Sequence, residues 1–147
     1  MAKNRFTFFT SGARPKGTSF LAADGINSKD LFIPAVDDSR IEIISIISTS
    51  VSQLVLFLQI NDVAAGQFYP LGHVTIPPGV GTGGSAASVS GLNRGNFPWV
   101  QIDANGNPYL NLSNNFRLSG RLMTALTGSE QISVTVFGAD YTEVPTS

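Results

Sequence analysis

The sequence predicts an all-β fold: an antiparallel β-sandwich or jelly roll with an extended N-terminal arm. Three observations lead there. β-Branched and aromatic residues dominate the apolar segments. Turn signals recur about every 8–12 residues, the spacing of sandwiches and barrels. No segment sustains a helical period. A chain of 147 residues suits one domain, and at this size roughly 70% of the unfolded chain's surface is buried on folding.

Residues 1–30 come first and lack a sustained period. Gly12, Pro15, Gly17 and Gly25 interrupt Phe6, Phe8, Phe9, Phe20 and Leu21. A disordered tail carries fewer aromatics, so the expectation is an extended arm that buries its apolar side chains against a partner. The competing reading is a first strand, FTFFT, followed by a loop of the same domain. The β-domain is expected over 31–142, with a polar tail at 143–147.

Within that domain LFIPAV (31–36) reads as a short strand, and Pro34 points to an edge. VDDS (36–39) supplies turn residues. RIEIISIIST (40–49) follows, with Ile41, Ile43 and, past a bulge, Ile46 directed inward. QLVLFLQI (53–60) is apolar at nearly every position, as in a strand covered on both faces. After the loop NDVAAGQ comes YPLGHVTI (69–76), closed by Pro77-Pro78-Gly79. GVGTGGSAASVSGLNRGN (79–96) holds six glycines without periodicity; it reads as a long flexible loop with a short strand near Ala87–Val89. PWVQID (98–103) and PYLNL (108–112) read as a strand pair. FRLSGRLM (116–123) alternates, with Phe116, Leu118, Gly120 and Leu122 on one side. QISVTVF (131–137) does the same through Ile132, Val134 and Val136. The expected core is Ile41, Ile43, Leu54, Leu56, Leu58, Val74, Ile76, Leu118, Leu122, Ile132, Val134 and Val136.

Charge bounds the function. Only 13% of residues are charged, against about 25% in ordinary domains. Two readings fit: a surface that largely meets other protein, or a compact β-domain coated with Ser, Thr, Asn and Gly. The net charge of −1 gives the whole chain no basic field for nucleic acid. The charges are uneven, however. Lys3, Arg5, Arg14 and Lys16 all precede the first acidic residue, Asp24. There is no cysteine, hence no disulfide or thiolate chemistry. The start MAKNRFTFF has an apolar run too short for a secretory signal, and SGARPKG breaks it. No stretch reaches the roughly 20 apolar residues of a membrane span.

Motifs for chemistry are weak. In DANGNPYLNL (103–112), Asp103, Asn105 and Asn107 alternate as calcium ligands do. An EF-hand loop needs glycine at its sixth position and a bidentate Glu at its twelfth; here glycine comes fourth and Asn114 is twelfth. The stretch reads better as a hairpin, with Asn105-Gly106 as a two-residue type I′ turn at positive φ. GVGTGGS lacks the lysine of a phosphate loop. The single histidine, His73, sits in an apolar strand pattern and reads as packed or surface-exposed. GGSAA misses the last glycine of a nucleophile elbow. Asp37, Asp38 and Asp62 fall in turns, where Asp serves the backbone. Trp99 is expected in the core with Tyr109 beside it; alternatively the two form an aromatic platform for sugar. No cofactor and no metal are expected.

Four segments carry a resemblance: RIEIISIISTSVSQLVLFLQIND, HVTIPPGVGTGGSAASV, DANGNPYLNL and FRLSGRLMTALTGSEQISVTVFGADY. Together they resemble small virion proteins of tailed bacteriophages, over roughly residues 36–141. The shared pattern is a strand pair, a proline-glycine turn, a GTGG loop, an NPYL hairpin and a closing strand ending in Phe137-Gly138-Ala139-Asp140-Tyr141. Residues 1–30 lie outside it. The resemblance implies a head decoration, or cement, protein on the capsid surface, often trimeric, bracing major capsid subunits. A tail or neck component is a near neighbour. Partner contacts are then expected from the arm, through Lys3, Arg5, Phe6, Phe8, Phe9, Arg14 and Lys16. Thirty extended residues would reach on the order of 100 Å. Neither direct nucleic-acid binding nor membrane contact is expected. The alternative function is a carbohydrate-binding β-sandwich of a phage tail or capsid surface; a hydrolase with dispersed carboxylates ranks third.

Overall fold

A computed structural model describes residues 8–82 and 86–143, with side chains from 13 to 141 outside the 83–85 gap. It is a β-sandwich of two sheets in which every pairing is antiparallel. In chain order the strands are β1 (Phe8–Leu21), β2 (Lys29–Phe32), β3 (Ser39–Ser48), β4 (Leu54–Asp62) and β5 (Gln67–Ile76). Then come β6 (Val89–Ser90), β7 (Gln101–Ile102), β8 (Pro108–Leu112), β9 (Phe116–Leu122) and β10 (Gln131–Glu143). The larger sheet runs β1-β10-β3-β8-β7, with β6 also paired to β3; the smaller runs β2-β9-β4-β5.

The core lies between the sheets. Phe20, Phe32, Ile41, Ile46, Leu56, Leu118, Leu122, Ile132, Val134 and Val136 are all fully buried. Strand alternation explains most of this: Leu118 and Leu122, then Ile132, Val134 and Val136, lie an even number of residues apart and share a face. Eleven of the twelve expected core residues are buried, and Ile43 is not. The β10–β3 register passes from Phe137↔Ile43 to Gly138↔Ile41, so Glu42 is a bulge. One extra residue reverses the facing of the strand beyond it. Ile41 and Ile44 therefore point inward and Ile43 stands 52% exposed on the outside.

The N-terminal segment departs from expectation. The extended arm over 1–30 is replaced, from residue 8 onward, by two strands of the sandwich and a single 3-10 turn at Ala22–Asp24. β1 pairs with β10 from Phe8↔Glu143 to Leu21↔Gln131, and Phe20 is fully buried. The physical reason is β10, whose backbone needs a partner on the side away from β3. β1 is an edge strand with Pro15, Lys16 and a bulge between Thr10 and Gly12, all devices that discourage further pairing.

The glycine-rich loop is also more anchored than expected. Ser48 N–H donates to Val80 O, Gly79 N–H to Ser50 O, and Gly91 N–H to Ile44 O. Val80, Leu92, Phe97 and Val100 are buried in the core. Gly72 lies under Phe97 so closely that an added Cβ would meet the ring at 2.6 Å. These four anchors are too widely spaced to create a period, so the sequence does not reveal them.

Candidate functional site

The outer face of the larger sheet is poor in charge. Register partners share a face, so β1, β10 and β3 present rows that read across the sheet. The rows are Gly17–Thr135–Ser45, Pro15–Phe137–Ile43 and Ala13–Ala139–Arg40. Arg40 is the single charged residue in them. The middle row is apolar and open: Pro15 is exposed, Phe137 is 42% exposed and Ile43 52%.

Beside this row lies a groove of about 330 Å³. Arg40, Glu42 and Ile43 come to it from β3, and Asp103, Asn107 and Pro108 from the β7–β8 hairpin. Ser90 and Leu92 close it from the anchored loop. The hairpin is built around Asp103. Its Oδ1 accepts the backbone N–H groups of Asn105 and Asn107, each at 2.9 Å, and its carbonyl accepts Gly106 N–H. Gly106 alone has positive φ, +83°; Asn105 does not. The expected two-residue type I′ turn is therefore a three-residue loop whose last position is left-handed, which favours glycine. The Asp103 oxygens serve this turn and Arg40, whose Nη2 donates to Oδ2 at 3.2 Å.

Arg40 is held on several sides. Its guanidinium lies 4.0 Å over the Tyr109 ring, an arrangement favoured by the ring's negative face. Its Nε is 3.3 Å from Glu42 Oε1 but at an angle that makes no hydrogen bond. Among the described residues it is the buried side-chain polar atom without such a partner. Tyr141 O–H donates to Asn111 Oδ1 at 2.6 Å. Burial pushes the Tyr141 phenol up from its ordinary value, and Arg40 only partly offsets this.

Of the seven residues expected to contact a partner, only Arg14 and Lys16 have described side chains. Lys3, Arg5 and Phe6 lie outside the described residues, as do the side chains of Phe8 and Phe9. Arg14 is engaged internally. Its Nε donates to both oxygens of Asp140 at 3.0 and 2.9 Å, its Nη2 donates to Ile33 O, and its guanidinium covers the Phe32 ring at 4.3 Å. Burial raises the Asp140 carboxyl, but the hydrogen bonds from Arg14 and Ser39 and the charge of Arg14 outweigh it, and the net direction is down. Lys16 is exposed on β1. Trp99, expected in the core, is 50% exposed, because Phe97 takes the buried place and the indole packs on it at 5.6 Å. Tyr109 is partly buried beneath Arg40. His73 is exposed on β5 and meets Phe57 edge-on at 6.3 Å.

The sequence revealed no groove: Asp103 and Asn107 stood out only as a turn or calcium pattern, Ile43 was expected in the core, and Arg40, Glu42, Ser90, Leu92 and Pro108 were not singled out as site residues. The charged pair Arg40 and Glu42 in an otherwise isoleucine-rich strand was the available signal.

No family model and no curated protein matches this chain. Among solved structures it is similar to the Drosophila NLP core, whose structure is described as giving insight into pentamer formation and histone binding. The match spans 88% of this chain and 98% of that one, at 9% identity and a TM-score of 0.44. At that distance neither assembly nor partner is carried over.

Proposed function

We propose that this chain is a non-enzymatic structural protein of a tailed-phage particle, a decoration protein that lies on the capsid surface and braces adjacent major capsid subunits. The observation that supports this reading is the open apolar row Pro15–Phe137–Ile43 on a sheet face almost free of charge. Such a face costs little to desolvate against protein, and its aromatic anchor has few rotamers to lose. The resemblance over residues 36–141 supplies the particle context. Attachment then resides on the sheet, with any contribution of residues 1–7 added to it. The decorating unit is a homotrimer.

Co-sedimentation with empty shells lacking the decoration protein tests the proposal. The parent protein binds, Phe137→Asp loses binding while keeping its melting temperature, and Arg121→Ala on the other sheet binds as the parent does. Absence of parent binding, or full binding by a Phe137→Asp/Ile43→Asp double variant, would sink it. Sedimentation velocity of the free protein gives the oligomer number.

A further inference from the structure

We infer that the groove between β3 and the β7–β8 hairpin is a binding site for a neutral polyol, of the kind presented by a sugar ring. The inference goes beyond capsid decoration and does not depend on it. It also moves the sugar-binding alternative away from a Trp99–Tyr109 platform, since Tyr109 is covered by Arg40.

Size and rigidity come first. About 330 Å³ is at the low end of the roughly 300–1,000 Å³ of small-molecule sites. The walls are set before any ligand arrives. Asp103 is locked by two backbone N–H groups, Arg40 is locked by Asp103 and Tyr109, and Leu92 is buried at the base. A ligand therefore orders little protein on binding.

The chemistry of the lining then selects the class. Ile43, Leu92 and Pro108 make an apolar floor, suited to the C–H face of a ring. Two polar side chains in the lining have no hydrogen bond to another described residue. The Glu42 carboxylate, 51% exposed, is ion-paired with Arg40 Nε at 3.3 Å without a hydrogen bond, and the Asn107 carboxamide has no side-chain hydrogen bond to another described residue. A carboxylate accepts only, whereas a carboxamide both donates and accepts. Adjacent hydroxyls, which do both, match that pair.

Charge excludes the rivals. Arg40 against Glu42 and Asp103 leaves the groove at −1, so an anion is repelled. A cation gains little, since Arg40 already sits between the two carboxylates.

Amide chemical shifts of the full chain provide the test. The probes are the methyl glycosides of glucose, galactose, mannose and N-acetylglucosamine, with inorganic phosphate and ethylammonium as charged counterparts. At least one glycoside should produce saturable shifts confined to Glu42, Ile43, Ser90 and Asn107. Glu42→Ala and Asn107→Ala, both exposed positions, should each weaken that binding about tenfold while leaving the melting temperature unchanged. Three results overturn the inference: no saturable glycoside shift at these amides, saturation by phosphate or ethylammonium instead, or glycoside binding that survives both substitutions.

Discussion

The two sheets bury matching inner faces but dress their outer faces differently. The outer face of the smaller sheet satisfies its own charges. Arg117 Nη1 donates to Asp30 Oδ2 at 2.8 Å, Ser119 Oγ donates to Asp30 Oδ1, and the Arg121 guanidinium covers Phe57 at 4.8 Å. Ser28 donates to the buried Gln59 on that side as well. The larger sheet instead shows Gly, Ser, Thr and Ala around Pro15, Phe137 and Ile43, with charge collected at one end by Arg40 and Glu42. Among the described residues the smaller sheet pairs its charges on its outer face, although Phe68 on β5 stands 46% exposed. The larger sheet keeps its apolar row open, which is the asymmetry expected of a domain that solvates one side and docks with the other.

The largest expected effect tests whether β1 belongs to the larger sheet. Deleting residues 2–20 removes Phe20 and strips the β1 side of β10 of its hydrogen-bonding partner, leaving β10 paired only with β3. The truncated chain should show no cooperative denaturant transition. A parent-like transition would return the segment to the status of an arm.

Next comes the contrast between inner and outer isoleucine and leucine. Leu118→Ala, at a fully buried site, should cost about 2–5 kcal/mol. Ile43→Ala, on the open face, should stay within about 0.5 kcal/mol. Similar losses at both would mean that the Glu42 bulge does not reverse the strand's facing.

A smaller effect probes the hairpin that frames the groove. Gly106→Ala should cost about 1–2 kcal/mol, because alanine resists φ +83°. Asn105→Ala should be nearly neutral, within about 0.5 kcal/mol. The reverse order would restore the two-residue turn.

The smallest effect separates the faces from the ends of the sandwich. Glu130, in the loop before β10, accepts from Ser50 Oγ, from Val51 N–H and from both the N–H and Oγ of Thr127. The Ser50 bond is the main cause that holds its carboxyl at about 2, down from 4.5. A lowered folded-state pKa means that the ionised form stabilises the fold. That contribution is complete above pH 4.5 and is lost as the pH falls towards 2. The urea midpoints of parent and Glu130→Gln should therefore differ at pH 6 and converge near pH 2. A constant gap across that range would show that the charge of Glu130 plays no part.

Much of the fold was legible. Leu118 and Leu122, and Ile132, Val134 and Val136, sit where a period of two places them, because successive side chains on a strand must face opposite ways. The turn at Gly106 was legible for the same local reason, although its loop length was not. The groove was not legible. Arg40 and Glu42 stand out among isoleucines, but Asp103 is 63 residues from Arg40 and joins it only through the β3–β8 pairing.

The sequence by itself determined the element type, the alternation within most strands and the absence of any helical period, since these depend on neighbouring residues and backbone geometry. Only the tertiary structure decided that β1 completes the larger sheet, that Glu42 turns Ile43 outward, and that Phe97 rather than Trp99 fills the core. Each of those outcomes depends on register between strands far apart in the chain. A shift of one residue exchanges inside for outside there, and no local pattern reports it.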